Sequence, residues 1–358
     1  MKKILTLLAG TSLAFYMQAC SDSSTSAEDD LLKPGSVYVF GSDYTSGELR
    51  WVLDDGISDK SIQFNQDSKV VGIDGNLFVL ERLNADNLAL VDVSEDKVKW
   101  QIELDDASNP SDVVKANKDE VWVALEGAAK FVKVAVKDGK ITKTVKTNKF
   151  SHGKATTPNL VDFEVSGDTL FALFQRSENY KYPVPGLLAM YRLNNGDLLD
   201  TIKLAKKNPM AMGFANGKLY IASQGEYNAD YGTDADANRG IEVVDFAKKK
   251  TSMVVDGKKL GGGVYAFAVD PEGVGYAAVY KAWGDVPLMK VDFSKKTAEK
   301  VSGVSDVEGS LLFDDVDGVL YIGDRGSKGG LYKYESGKAS KIDAPKKMLP
   351  VYGIAIVR

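Results

Sequence analysis

Asn216-Gly-Lys-Leu-Tyr-Ile-Ala222 is a tight turn followed by a short apolar strand with an aromatic at its centre. The pattern recurs. Asn76-Leu-Phe-Val-Leu80 follows Asp74-Gly75, Glu120-Val-Trp-Val-Ala124 follows Asn117-Lys-Asp119, and Val319-Leu-Tyr-Ile-Gly323 follows Asp317-Gly318. Ser36-Val-Tyr-Val-Phe40, Thr169-Leu-Phe-Ala-Leu173 and Val274-Gly-Tyr-Ala-Ala278 complete the set. The central aromatics are Tyr38, Phe78, Trp122, Phe171, Tyr220, Tyr276 and Tyr321, at intervals of 40, 44, 49, 49, 56 and 45 residues. A period of this size marks a repeat architecture. Polar Gly, Asn and Asp turns of this kind join antiparallel strands.

Around each aromatic strand lie further strand-like runs. Upstream are apolar segments such as Pro110-Ser-Asp-Val-Val114, Leu160-Val-Asp-Phe-Glu-Val165, Pro209-Met-Ala-Met-Gly-Phe214 and Val264-Tyr-Ala-Phe-Ala-Val269. Downstream comes a third strand, as in Leu88-Ala-Leu-Val-Asp92 or Ile241-Glu-Val-Val-Asp245. A more polar, alternating fourth follows, as in Lys97-Val-Lys-Trp-Gln-Ile-Glu103 and Lys140-Ile-Thr-Lys-Thr-Val145. Four antiparallel strands with the outermost most polar predict the blade of a β-propeller. No window carries a sustained helical period.

The ends supply the blade count. Tyr38 has no apolar strand before it, and Leu349-Pro-Val-Tyr-Gly-Ile-Ala-Ile-Val357 reads as a first strand with nothing after it. Together they predict a seventh blade: the C-terminal segment innermost, then the strand of Val37, then Leu49-Arg-Trp-Val52, then Ser61-Ile-Gln-Phe64. Closure of this kind removes exposed sheet edges. The expected fold is an all-β, seven-bladed propeller over residues 36–358.

That domain resembles the bacterial surface propellers of the YVTN type, in which a Tyr-Val or Tyr-Ile strand and a later Val-Asp strand recur in each blade. The carriers here are Leu219-Tyr-Ile221, Leu320-Tyr-Ile322, Leu77-Phe-Val79, Val91-Asp92, Val244-Asp245 and Val291-Asp292. The literal Tyr-Val-Thr-Asn tetrapeptide is absent, so the likeness is one of architecture. It implies an envelope protein, with partners of outer-membrane transporters among its relatives.

Residues 1–19 read as an export signal. Lys2 and Lys3 precede a mostly apolar run, Ile4 to Tyr16, too short to span a bilayer. Met17-Gln-Ala-Cys20 follows, and Cys20 is the only cysteine. The segment resembles a lipobox, with Gln18 departing from its usual form. The resemblance implies that Cys20 is lipidated and becomes the N-terminus. A secretory signal cleaved near Ala19 is the alternative. Residues 20–35 are small, polar and acidic, and are expected to form a flexible tether. Export with a lipid anchor predicts attachment to the bacterial envelope, at the outer membrane, on its periplasmic or surface side.

Composition narrows the partners. The chain has a formal net charge of −5, and removing residues 1–19 with their two lysines leaves 43 basic against 50 acidic side chains. Phosphate backbones attract basic surfaces, so nucleic acid is not expected as a partner.

In a propeller, the second-to-third and fourth-to-first loops share one face. On this chain those loops are the long ones, including residues 176–185, 224–239, 281–287 and 148–158. They predict a binding face carrying Tyr44, Arg82, Phe150, His152, Arg176, Tyr180, Tyr182, Tyr227, Tyr231, Arg239, Tyr280, Trp283 and Arg325. Aromatics offer flat apolar area with a polar tip, and arginines offer planar forks. The mixture suits a small molecule, a glycan or a protein segment; the same residues could instead pack the loops against one another. Asp234, Asp236 and Asn238 alternate as in a calcium loop, but Arg239 stands where its glycine belongs. Calcium and a plain acidic loop are both open readings there, and no other cofactor is expected.

His152 is the only histidine, and no nucleophile motif accompanies it. No catalytic residue is assigned. The expectation is a non-enzymatic binding module; a lactonase-like hydrolase and a purely structural envelope component are the alternatives.

Overall fold

A computed structural model describes residues 37–308 and 310–358. The signal segment 1–19, Cys20 and the whole of the tether to residue 35 lie outside these residues. The chain forms seven antiparallel sheets, six of four strands and one of five, arranged as a seven-bladed β-propeller. Among the described residues helix is confined to one turn, Gly257–Leu260, and a 3-10 turn, Asn148–Phe150.

Blade 1 is built from both ends of the described chain. Val351–Ile356 is its innermost strand and pairs with Val37–Ser42, which pairs in turn with Gly47–Leu53. The expected fourth strand forms over Ile62–Phe64, but Gly56–Ile57 also pairs with the third strand, so the outer edge is split in two. Arg50 fills the break. Its guanidinium donates to the carbonyls of Ser58 (2.8 Å) and Asp59 (2.7 Å) and to Glu48 Oε2 (2.8 Å). The other oxygen of Glu48 accepts the Leu349 N–H at 2.8 Å, tying the closing strand to the third strand.

Blades 2 to 7 run in sequence from the axis outward, each with its four strands in chain order. Their first strands are Ser68–Ile73, Pro110–Lys115, Leu160–Ser166, Pro209–Ala215, Gly263–Asp270 and Leu311–Asp314. Together with Val351–Ile356 these strands touch one another in order and close the ring around a central channel.

Second strands are buried on both faces because neighbouring blades cover both sides. Leu77, Phe78, Val79 and Leu80 are all fully buried, as are Trp122, Val123, Ala124 and Leu125. The apolar interior is therefore divided into seven clusters, one for each contact between adjacent blades. Each repeating aromatic enters the cluster shared with the following blade: Tyr38 between blades 1 and 2, Phe78 between 2 and 3, Trp122 between 3 and 4, and so on to Tyr321 between 7 and 1. None is more than 6% exposed. Trp122 also donates its indole N–H to the Leu193 carbonyl of blade 4 at 2.7 Å, which satisfies the one polar atom of an otherwise apolar insertion. These residues are scaffold.

Outer strands alternate. Lys97–Glu103 presents every second residue to solvent, as expected of a half-covered edge. The second-to-third loops of blades 4, 5 and 6 and the connection from blade 3 to blade 4 are long and lie on one face; most first-to-second turns opposite are tight.

Candidate functional site

The first strand of a blade is the one whose side chains can reach the axis. Five of the seven carry the same irregularity near their entry from the long-loop face. Val351 and Gly353 are consecutive partners of Gly41 and Phe40, so Tyr352 is left as an extra residue. By the same count Ser111, Val161, Met210 and Tyr265 are extra residues in blades 3, 4, 5 and 6. A β-bulge turns its extra side chain away from the regular alternation. All five line one cavity of about 300 Å³ at the long-loop end of the channel, with Lys69, Arg82, Glu126, Asp162 and Gln175. Pro110 and Pro209 begin two of these strands, a position where a missing N–H costs no ladder bond.

The charged wall of the cavity is a network. Arg82 donates to Glu126 Oε2 at 2.9 Å and lies 3.8 Å from Asp67 Oδ1. Glu126 Oε2 also accepts from the Asn109 amide at 2.9 Å, and Asp67 Oδ1 accepts the Tyr352 hydroxyl at 3.1 Å. Lys69 reaches across to the Ser111 carbonyl at 2.9 Å. Its ammonium is open to channel water but surrounded by the ring of blades. That enclosure, with Arg82 nearby, holds its pKa below the usual lysine range, while Asp112 and Asp162 act in the opposite sense.

Carboxylates descend the channel from there. Asp112 Oδ2 accepts the Phe163 N–H at 2.9 Å, and Asp162 Oδ2 accepts the Met212 N–H at 2.7 Å. Each thus fastens its first strand to that of the next blade. Burial pushes the Asp112 carboxyl up to about 6. Burial together with Asp112 and Glu164 raises Asp162 well above the usual range, and Glu164 is pushed up to about 8. A carboxyl enclosed by protein and facing like charges favours its neutral form.

An aromatic crescent borders the other side. Tyr352 meets Tyr44 edge-on at 6.0 Å between centroids, and Tyr44 meets Trp283 at 5.6 Å. Arg325 lies over both tyrosines, 4.6 Å from the Tyr44 ring and 5.6 Å from that of Tyr352. Glu308 holds this group together, accepting from Tyr44 at 2.9 Å and lying 3.7 Å from Arg325. On the adjoining wall Tyr265 contacts Tyr280 at 5.9 Å, and Tyr280 contacts Tyr227 at 6.2 Å.

The sequence-predicted residues therefore divide. Arg82 lines the cavity; Tyr44, Arg325 and Tyr280 pack on its wall; Tyr227 and Trp283 extend that wall outward. Tyr180 and Tyr231 stand almost free on loop tips, 94% and 79% exposed. Phe150 is buried against Phe174, and Arg176 donates to the Phe150 carbonyl at 3.0 Å, so both bind loop to loop. Tyr182 and His152 are partly covered on the same outer loops and do not line the cavity, although the Tyr182 hydroxyl turns inward to Asn208 and lies near Tyr227 and Glu126. Tyr44, Arg176, Tyr180 and Tyr231 all adopt positive φ, between 58° and 68°, a strained conformation for bulky residues.

Arg239 is 4% exposed and turned inward. Its guanidinium donates to the carbonyls of Gln224 and Glu226, both at 3.0 Å, and pairs with Asp236 at 3.2 Å. Asp234 accepts from the Asn228 amide at 2.9 Å, and the Asn238 N–H donates to Asp236. The acidic loop thus spends Asp236 on an internal arginine. Among the described residues no group of three or more His, Cys, Asp or Glu side chains is placed to hold a metal ion.

Lys69, Ser111, Glu126, Asp162, Gln175, Met210, Tyr265 and Tyr352 were not singled out from sequence. The available signal was a charged residue inside an apolar innermost strand, as at Lys69, Asp112 and Asp162. The bulges that aim their neighbours inward leave no such mark.

No family model matches the chain, and no curated protein is similar to it in sequence. Solved structures share its shape. Apo AztD from Citrobacter koseri is 11% identical with a TM-score of 0.55, covering 90% of this chain and 98% of that one. A "putative 6-phosphogluconolactonase" from Bacteroides uniformis is 12% identical with a TM-score of 0.62, covering 91% and 100%. A protein of unknown function from Bacteroides caccae is 13% identical with a TM-score of 0.50, covering 91% and 100%. Identities this low carry the fold alone: the chain is a seven-bladed β-propeller with bacterial structural neighbours.

Proposed function

We propose that this protein is a lipid-anchored envelope propeller of the YVTN type that captures a small molecule at the long-loop end of its channel. The observation that carries the reading is the cavity itself, into which five separate blades each turn one bulged residue. A concave site of mixed aromatic and charged lining on a rigid ring is a usual place for ligand binding. The lipobox-like Met17-Gln-Ala-Cys20 supports the anchor, with residues 1–19 removed and 20–35 as the tether to a domain from 36 onward. A lipid anchor would keep the cavity near envelope transporters, the class of partner we infer.

Native mass spectrometry of the purified protein after exposure to envelope extract and growth medium tests the reading. A bound mass should disappear in a Tyr265→Ala/Tyr352→Ala variant and persist in Tyr180→Ala/Tyr231→Ala. No bound mass, or one indifferent to the cavity pair, overturns it and favours a structural envelope role. For the anchor, Cys20→Ser should release the protein from the membrane fraction.

A lactonase-like hydrolase is the second reading, favoured by one feature: Lys69 and Asp162, both with shifted pKa, line the same cavity. Lactone hydrolysis lost in Lys69→Met and Asp162→Asn would support it. Loss in His152→Ala would instead move the chemistry to the outer loop.

A further inference from the structure

We propose that the cavity takes a small organic monocarboxylate, its carboxylate held by the Lys69 ammonium and the Gln175 amide and its body lying between Tyr265 and Tyr352. The inference rests on the binding reading above and adds the chemical class of the ligand.

Unspent hydrogens converge in this cavity. The Lys69 ammonium has three donors and gives one to the Ser111 carbonyl. Gln175 is only 6% exposed, and its amide nitrogen meets just the thioether of Met210, at 3.3 Å, a weak acceptor. A primary amide this deeply buried is normally fully partnered. Arg82 Nε is buried beside them with no acceptor. The carboxylates nearby are each engaged through one oxygen, Glu126 Oε2 by Arg82 and Asn109, Asp67 Oδ1 by Tyr352 and Asp162 Oδ2 by Met212, and none is bonded to Lys69 or Gln175 among the described residues. What is missing is a compact pair of oxygens with negative charge, and a carboxylate supplies both.

The charge count limits the ligand. Arg82 is balanced by Glu126 and Asp67, which leaves Lys69 as the cation of the lining that has no direct ion pair among the described residues. Asp112, charged at pH 7 with its carboxyl at about 6, and Glu126 oppose a second negative charge and so disfavour a dianion such as phosphate. The volume, about 300 Å³, lies at the small end of ligand pockets. A bound anion would also restore the ammonium that enclosure and Arg82 disfavour.

Calorimetric titration of the purified protein with gluconate, shikimate and 4-hydroxybenzoate, each beside its neutral primary amide, tests this. At least one acid should bind at pH 7, with its amide at least about tenfold weaker, the order expected for a charge-assisted bond. Lys69→Met should abolish the preference for acid over amide. Gln175→Leu, which keeps the shape, should weaken the acid about tenfold with an unchanged melting temperature. Acid binding should also fade as pH rises through the lowered Lys69 pKa. That titration is set jointly by Arg82, Asp112, Asp162 and Glu126, the charged groups facing the amine.

No acid binding tighter than about 1 mM overturns the proposal, as does equal binding of acid and amide, or an unchanged preference in a folded Lys69→Met protein. The two readings fail separately. A neutral or cationic molecule recovered from extract and lost in Tyr265→Ala/Tyr352→Ala would leave the binding module standing and sink the carboxylate.

Discussion

Replacing Glu164 by glutamine should stabilise this protein, and by an amount that grows with pH. Glu164 lies on the first strand of blade 4 and points into the channel below Asp162. Burial and the charge of Asp112 push its carboxyl up from 4.5 to about 8. An acid with a raised folded-state pKa binds its proton more tightly in the folded than in the unfolded chain. Its neutral form is therefore tolerated at low pH, and stability falls as pH rises from about 4.5 to about 8. Taken at face value that interval corresponds to roughly 5 kcal/mol. Channel water reaches the side chain and screens it, so a penalty of about 2 kcal/mol is the reasonable scale. Glutamine keeps the shape and removes the titration. At pH 5 the variant and the parent should melt within about 1 °C of each other; by pH 9 the variant should melt about 3 °C higher, from the entropy of unfolding a domain this size. The assay is thermal unfolding followed by circular dichroism at pH 5, 6, 7, 8 and 9. A difference that stays constant across the series would refute the reasoning, because a packing effect does not titrate. A difference that shrinks with pH would reverse its sign and refute it outright.

Other outcomes follow from the same structure. Trp122→Ala should cost about 3–5 kcal/mol in denaturant unfolding, since it empties the contact between blades 3 and 4 and orphans the Leu193 carbonyl; Trp122→Phe should cost clearly less. Glu48→Ala should cost about 3–5 kcal/mol by leaving Arg50 buried without its partner, and Glu48→Leu/Arg50→Met should recover part of that loss in a double-mutant cycle. Millimolar calcium should leave the melting temperature unchanged because Arg239 occupies Asp236, and a rise of more than about 2 °C in parent but not in Asp234→Ala would reverse this view of the acidic loop.

The fold was largely legible because the propeller repeats its physics. One aromatic per blade must fill the gap to the next blade, so the period of Tyr38 to Tyr321 is the period of the packing. The ring closure was legible for the same reason: Val351–Ile356 has the composition of a first strand and no second strand after it. The split outer edge of blade 1 was not, because it depends on Arg50 bonding to the Ser58 and Asp59 carbonyls, a tertiary contact with no local pattern. The long loops do share one face, but the cavity is lined from the innermost strands at the axis rather than from those loops. Tyr180 and Tyr231 look like binders in sequence and stand apart on the tips. Tyr265 and Tyr352 look like strand residues and line the cavity, because a one-residue bulge reverses which way a side chain points. Phe150 and Arg239 could not be told from ligand-facing residues without knowing what they touch.

Blade 1 has a temporal meaning. Its inner strand and its second strand are separated by nearly the whole described chain, as the Leu349–Glu48 bond across 301 residues illustrates. During synthesis the N-terminal partner waits unpaired while six blades are made. Contacts of such long separation form late and slowly. Tyr352, carried on that last strand, closes both the ring and the cavity in one event. A half-made chain therefore has no complete pocket, and the cavity exists only with the finished circle.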